Sequence, residues 1–228
     1  MANCDVPLLY DNRLNLNIAH TRFENGLEIF YTEDLDGGGN KQFTDFLDCL
    51  RIFNKRYNHC LEWCAGHGAI GFSILDANFC EQLTLVEKYL PAMFVNKVNI
   101  AHNRLEKVEH YCSDSVKNLP NNLQFDLVVA NPPHSSIRHN PLDTVDNIHN
   151  DRICFDINWE SHKDFFNNII NYLAHNADIL LSQIMFREEH IVFAEQAGLI
   201  FIDAYKAAAL ASQGSPNSCI MHFKYLKK

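Results

Sequence analysis

From residue 57 onward, short apolar runs alternate with segments whose apolar residues recur every three or four positions. Cys60–Cys64, Leu83–Val86, Val108–Tyr111, Phe125–Ala130 and Ile179–Ile184 read as buried strands. Between them, residues 90–102 carry Leu90, Met93, Phe94, Lys97, Val98 and Ala101 at helical spacing, with Pro91 in the first turn, where its missing N–H costs no hydrogen bond. Residues 161–175 open on Ser161 and Asp164, a weak variant of the capping box, and then place Phe165, Phe166, Ile169, Ile170 and Leu173 on one face. Residues 187–197 begin with Glu188 and Glu189, favourable at a helix amino end, and stop at Gly198. Strands alternating with helices predict a parallel sheet covered on both faces.

The two ends of the chain depart from that rhythm. Strand candidates Leu199–Tyr205 and Ser218–Tyr225 are joined by Ala-rich and then Gly214-Ser215-Pro216-Asn217 sequence, too short for a full crossover helix, so they are expected to pair antiparallel. Residues 1–50 hold a strand candidate (Leu27–Tyr31), a Gly37-Gly38-Gly39 turn and a helix at about Gln42–Lys55, whose Phe43, Phe46, Leu47, Leu50 and Phe53 mark one buried face. Residues 1–56 are accordingly an N-terminal extension and a candidate substrate lid, with 57–228 as the main domain. The Asn-, His- and Asp-rich segment 134–159, around Pro141, is irregular, and loops of that length usually carry function. Its Arg138, His139, Asn147, His149 and Arg152 are candidates for substrate contact, interleaved with Asp143, Asp146 and Asp151.

Composition narrows the classes. A chain of 228 residues, 47% hydrophobic and 21% charged, is one well-cored domain with a modest addition. No apolar stretch approaches the ~20 residues that cross a bilayer. The first residues lack a secretory signal, so a cytoplasmic location is expected. The eight cysteines are dispersed and read as reduced, buried side chains. Cys60 and Cys64 have His59 and His67 nearby, but they fall in a strand and its turn with no second ligand pair, and no metal site is expected. Nineteen Lys+Arg against 28 Asp+Glu give a net charge of −9, which disfavours a nucleic-acid partner and leaves a small molecule or a protein.

Candidate chemistry sits in two strings, Glu62-Trp63-Cys64-Ala65-Gly66-His67-Gly68 and Asn131-Pro132-Pro133-His134, each closing a strand candidate. Gly66, Gly68 and Gly71 satisfy G-x-G-x-x-G, and Glu87 follows at the spacing of an acid that accepts from ribose hydroxyls. Glycines let backbone lie against a ligand and the acid pairs with two neighbouring hydroxyls, a combination that suits any adenosine cofactor, nicotinamide or otherwise. Three features favour one cofactor. Glu62 is an acid inside a strand and needs a partner, which the ammonium of a methionine moiety would supply. Asp114 follows the third strand, placed to accept from an adenine amino group. Asn131-Pro132-Pro133-His134 ends the fourth strand, at the carboxyl edge where open α/β sheets bind ligands.

On these residues the chain resembles the class I S-adenosylmethionine-dependent methyltransferases over roughly 57–228, and in particular their N-methylating branch. That branch carries an Asn/Asp/Ser-Pro-Pro-aromatic motif and includes release-factor glutamine methyltransferases and enzymes acting on exocyclic amines of bases. The resemblance implies a Rossmann-like α/β fold: a seven-stranded, mostly parallel sheet with helices on both faces and a C-terminal antiparallel hairpin. It implies S-adenosyl-L-methionine as cofactor, lined by Glu62, Ala65, Gly66, Gly68, Glu87, Asp114, Ser115 and Asn131. Gly66 and Gly68 would pass under it, Glu87 hold its ribose and Asp114 its adenine. Asn131, Pro132 and His134 would serve the acceptor, with the Asn131 side-chain oxygen and the Pro132 carbonyl accepting from the target NH2. His134 stands where many relatives have Tyr, Phe or Trp, and is a stacking residue, a hydrogen-bond partner or a loop histidine. His67 reads as shape-filling or cofactor-adjacent, and Trp63 as core. The expected activity is N-methylation of a planar amide or amino nitrogen of a small metabolite or protein side chain. The alternatives are an exocyclic amine of RNA or DNA, a nicotinamide-dependent oxidoreductase, or a non-catalytic binding subunit.

Overall fold

The computed structural model describes residues 18–32, 39–136, 155–212 and 215–226. Gly37, Gly38 and the substrate-contact candidates between 138 and 152 lie outside them. Strands β1 (Ile18–Arg22) and β2 (Glu28–Thr32) form an antiparallel hairpin. It is followed by α1 (Gly39–Phe53), β3 (Tyr57–Trp63), α2 (Ala69–Asp76), β4 (Cys80–Glu87), α3 (Leu90–His102), β5 (Val108–Cys112) and β6 (Phe125–Ala130). The chain continues through α4 (Glu160–Ile169), β7 (Leu173–Gln183), α5 (Glu188–Gln196), β8 (Ile200–Lys206), α6 (Ala208–Ser212) and β9 (Cys219–Tyr225).

Seven strands make the main sheet in the order β5-β4-β3-β6-β7-β9-β8. Strands β3 to β7 run parallel, and β9 runs antiparallel to both β7 and β8. The expected α/β architecture with its terminal antiparallel pair is therefore present. Its central strands are buried on both faces, which is why they read as continuous apolar runs. Cys60, Leu83, Leu85 and Val129 face a core completed by Phe46, Leu50 and Phe72. Leu61, Trp63, Val128 and Ile179 face the other, with Phe165, Phe166 and Ile169. Trp63 stacks on Phe165 at 4.1 Å between ring centroids, a core residue as expected.

The hairpin and α1 belong to the first core, through Phe23, Ile29, Phe46 and Leu50. Asparagines dock the hairpin. Asn99 accepts from the Phe30 N–H at 2.8 Å and donates to the Phe30 carbonyl at 3.0 Å, and Asn103 does the same to Glu28 at 3.1 and 2.6 Å. These amides satisfy backbone groups at the edge of β2 that would otherwise face a helix without partners.

This docking reverses the expectation for α3. Its inward face is Ala92, Met93, Asn96 and Asn99, whereas Leu90, Phe94 and Val98 are exposed. Apolar spacing misleads there because the buried partner is a strand edge that needs amides, not carbon. Two other boundaries differ. Helix α4 ends at Ile169, and after a short 3-10 turn β7 begins at Leu173, well before Ile179. The exposed His175 and Asn176 conceal that first stretch of strand. Nor do Ser161 and Asp164 form a capping box. The Ser161 and His162 N–H groups donate to the Asp156 carboxylate at 2.8 and 3.0 Å, while Asp164 accepts from Ser115.

Candidate active site

The sheet order reverses at β3, with β4 on one side and β6 on the other, and the candidate residues gather at the carboxyl ends of these strands. The turn after β3 takes the left-handed conformation at Cys64 (φ 55), Gly66 (φ 51) and Gly68 (φ 75). Only glycine adopts that region without cost, and a non-glycine residue such as Cys64 is strained there. The three glycines have different reasons. A Cβ on Gly66 would meet nothing within 4 Å, so the turn opens there onto free space. One on Gly68 would lie 2.7 Å from the Phe72 ring and 3.1 Å from Leu85, and one on Gly71 would lie 2.6 Å from both Glu62 Oε2 and Leu83. Gly66 leaves room for a ligand, while Gly68 and Gly71 let α2 settle on the sheet.

Glu62 is buried, and its Oε2 accepts the Gly71 N–H at 2.7 Å, at the amino end of α2. Burial pushes its carboxyl up to about 8, against the pull of the Gly71 and Ile70 N–H groups, and Glu87 adds to the rise. Glu87 accepts from the Gly66 and Tyr89 N–H groups at 2.9 and 2.8 Å, one on each carboxylate oxygen. Each of those oxygens keeps a second lone pair. Ala65 is buried, its N–H bonded to the Val86 carbonyl. Asn96 donates to the Gly66 carbonyl at 2.9 Å and ties α3 to the turn. His67 is buried behind the turn, its Nε2 3.5 Å from the Thr32 N–H, and burial pushes its imidazole down to about 4. It links turn and hairpin.

After β5, Asp114 is exposed. Ser115 is buried, with its hydroxyl donating to Asp164 at 2.5 Å and accepting the Lys117 N–H at 3.2 Å. Its side chain caps the short turn that follows, Val116–Asn118.

Asn131-Pro132-Pro133-His134 follows β6, whose Ala130 pairs with Leu181 and so sets the motif beside the end of β7. Both prolines are buried. Arg187 donates to the His134 carbonyl at 3.2 Å. The far end of the 134–159 segment returns to the motif: Asp156 and Asn158 donate their N–H groups to the Ser135 and Ser136 carbonyls at 2.8 and 3.2 Å. Asn158 (φ 55) and Trp159 (φ 58) are both left-handed, and each such residue costs on the order of 1–3 kcal/mol.

That return packs a cluster behind the motif that sequence reasoning missed. His162 Nδ1 lies 2.6 Å from Asp156, its ring stacks on His190 at 4.3 Å, and Trp159 meets both rings edge-on. Gln183 Nε2 lies 3.3 Å from His162 Nε2. Burial drives the imidazoles of His134 and His190 down, to about 4 and about 2, and drives that of His162 down despite Asp156. All three are neutral. The only sequence signal was Gln183, a polar residue near the end of an apolar strand; the other residues are scattered between 134 and 190 and meet only through the fold.

The family model for the methyltransferase small domain matches residues 21–151. The chain belongs to that family. No curated protein matches the sequence. Among solved structures, TrmN from Thermus thermophilus is 13% identical with a TM-score of 0.54, over 81% of this chain but only 48% of that one. An M. jannaschii tRNA methyltransferase is 15% identical with a TM-score of 0.56, over 94% of this chain and 58% of that one. An S-adenosylmethionine-dependent methyltransferase from Clostridium acetobutylicum is 12% identical with a TM-score of 0.56, over 85% of this chain and 94% of that one. This protein thus spans about half the length of TrmN, and the likeness in all three is one of fold. The protein is an S-adenosylmethionine-dependent methyltransferase by family and fold.

Proposed function

We propose that this methyltransferase acts on a planar amide or amino nitrogen of a small metabolite or protein side chain. The observation that carries this reading is the position of Asn131-Pro132-Pro133-His134, directly after β6 and across the sheet reversal from the glycine turn. The residues on the cofactor side fit S-adenosylmethionine. Glu62 is a buried acid on which no cationic side chain among the described residues acts, and an ammonium would complete it. Gly66 opens onto space, Glu87 keeps lone pairs for ribose hydroxyls, and exposed Asp114 offers an acceptor for an amino group. The bound cofactor supplies an electrophilic methyl group on its sulfonium.

On the acceptor side, the Asn131 side-chain oxygen and Pro132 carbonyl accept the N–H groups of the target. A nitrogen gains positive charge as it attacks, which strengthens its N–H donors, so two fixed acceptors stabilise the transition state more than the ground state. Buried prolines hold the Pro132 carbonyl on a stiff backbone. His134, neutral at pH 7, flanks the target as a ring or as a hydrogen-bond partner.

A second reading, an exocyclic amine of RNA, is favoured by the fold shared with a tRNA methyltransferase. One experiment separates the two. Methyl-labelled cofactor is incubated with a cell extract, which is then fractionated into protein, nucleic acid and small molecules. Label in the protein or small-molecule fraction supports the first reading, and label in nucleic acid the second. Asn131→Ala should lower transfer by about 10²–10³-fold, the cost of removing one preorganised hydrogen-bonding group. Near-normal turnover in that variant would remove Asn131 from the chemistry.

A further inference from the structure

Asp156, His162 and Gln183 are buried side by side behind the Asn-Pro-Pro-His motif. A core built for stability alone would fill this place with carbon, since a buried polar group costs about 1–3 kcal/mol wherever it goes unmet. The chain also passes through two left-handed residues, Asn158 and Trp159, between Asp156 and His162. Strain of that kind persists where the surroundings fix the geometry, and it gathers at functional sites. The three side chains make a hydrogen-bonded series that reaches His134.

Asp156 sets the direction of the series. Despite burial, hydrogen bonds from His162 and Ser161 hold its carboxyl below the ordinary value, so it is ionised and can only accept. His162 Nδ1, 2.6 Å away, therefore carries the proton. Burial keeps His162 neutral, so its Nε2 is a bare acceptor for the Gln183 NH2 at 3.3 Å. The other end of that amide is then committed as an acceptor. Gln183 Oε1 and His134 Nδ1 are buried and bond to nothing else among the described residues, and the two side chains are hydrogen-bonded to each other. An amide oxygen only accepts, so His134 Nδ1 is the protonated nitrogen. A neutral imidazole has a single N–H, which leaves His134 Nε2 with its lone pair. His134 itself is half-buried, and Arg187 holds its carbonyl at 3.2 Å.

We propose that the Asp156–His162–Gln183 series fixes the proton of His134 on Nδ1, so that Nε2 enters the acceptor site as a hydrogen-bond acceptor. Asp156, His162 and Gln183 are positioning residues that act through His134, and His134 determines specificity. The inference rests on the acceptor-side reading proposed above and narrows it. The methyl acceptor carries a second N–H or O–H donor beside its target nitrogen, and a molecule with a lone pair at that place is repelled. A site built to meet a donor rejects an analogue lacking it far more strongly than an apolar pocket rejects a shape.

The test is the ring-nitrogen NMR spectrum of the whole protein at pH 7, saturated with S-adenosylhomocysteine and labelled with nitrogen-15 in its histidine rings. The His134 signals are identified by their loss in His134→Phe, a variant that keeps a ring and the backbone carbonyl held by Arg187. The expected result is one neutral tautomer with the proton on Nδ1, the form that free histidine in water populates less. In Gln183→Leu the ring should revert mainly to Nε2–H, while the shift in melting midpoint caused by S-adenosylhomocysteine persists. Methyl transfer from labelled cofactor to a cell extract should fall roughly tenfold in Gln183→Leu and His134→Phe alike, the worth of one good hydrogen bond. A side chain that merely supports packing would lower the melting midpoint and leave the tautomer as it is. A His134 proton on Nε2 in the native protein, or an unchanged Nδ1 proton in Gln183→Leu, overturns the proposal. So does full transfer by His134→Phe, which would make the ring a stacking surface. If Gln183→Leu does not fold, the native tautomer decides alone. Native-level transfer by His134→Ala would strike instead at the acceptor-side reading, with the tautomer result standing.

Discussion

Two buried carboxylates stand two rows apart in the sheet, and their surroundings are opposite. Asp178, in the row of Leu127, accepts from Tyr57 and Lys55 at 2.9 Å each, with His222 at 2.9 Å and Lys224 at 3.4 Å on its other oxygen. Glu62, in the row of Val129 and nearer the carboxyl ends, has backbone N–H groups and, as its charged neighbour, another acid. Hydrogen bonds and cations hold the Asp178 carboxyl well below the usual carboxylate range despite burial, led by His222 and Lys55. Burial raises that of Glu62. A buried acid whose partners come from the chain is part of the architecture. Glu62, met by backbone N–H groups and by no cation among the described residues, fits the proposed site for a cationic ligand.

The sharpest way to test this contrast is to remove the architectural acid. Asp178→Ala leaves the His222 ring and the Tyr57 hydroxyl buried without their acceptor and should cost about 3–5 kcal/mol of stability. In a domain of this size each kcal/mol lowers the melting midpoint by about 2–4 °C. S-adenosylhomocysteine affinity should be unchanged in the protein that remains folded. The pH dependence has a defined sign. The folded-state value of Asp178 is depressed, so its contribution is present above the unfolded value of 3.8 and is lost as pH falls through the folded one. Calorimetry showing no difference between Asp178→Ala and the native protein would end the architectural account.

A smaller effect comes from the glycines, which divide between the two roles. In Gly71→Ala the new Cβ would stand 2.6 Å from Glu62 Oε2 and from Leu83, so α2 must shift. Overpacking of this kind costs about 1–3 kcal/mol, and the shift also displaces the Gly71–Glu62 hydrogen bond, so cofactor affinity should fall with stability. Gly66→Ala meets open space and is strained only by its φ of 51°. It should lose about 1–2 kcal/mol of stability, the cost of the left-handed region. Its Cβ would also stand in the space left for the cofactor, so affinity should fall more than stability does, the reverse of Gly71→Ala, and affinity losses that track stability alike in both variants would contradict the division.

Much of this was legible in the sequence, for a physical reason. Central parallel strands are buried on both faces, so Cys60–Trp63 and Phe125–Ala130 announce themselves as apolar runs, and Glu62 stands out as an acid inside one. The terminal pair β8–β9 followed from a connection too short to cross the sheet. What failed to show was polar burial. Asn96, Asn99 and Asn103 look like a solvent face, yet Asn99 and Asn103 clamp β2 and Asn96 ties α3 to the glycine turn. Gln183, Arg187, His190 and the Asp156–His162 dyad look like ordinary polar residues until α4, α5 and the end of β7 converge on His134. Sequence periodicity counts carbon, and it is silent where the buried partner is a backbone edge or a hydrogen-bonded network.

The last test asks whether Glu62 is completed from outside. With its carboxyl raised to about 8, Glu62 is mostly protonated in the free protein at neutral pH. Its folded value lies above the unfolded 4.5, so it favours the folded state most at low pH, and that contribution is lost as pH rises from 4.5 through about 8. The sign is opposite to that of Asp178. An arriving ammonium stabilises the carboxylate and should expel the proton, so S-adenosylhomocysteine binding should release up to one proton per site between pH 6 and 8 and strengthen as pH rises across that window. Calorimetry in buffers of different ionisation enthalpy measures the release directly. Glu62→Gln should bind more weakly and release no proton from this site. Native protein that releases none in the same window would mean that Glu62 is already ionised or does not meet the ammonium, and the contrast with Asp178 would then be one of packing alone.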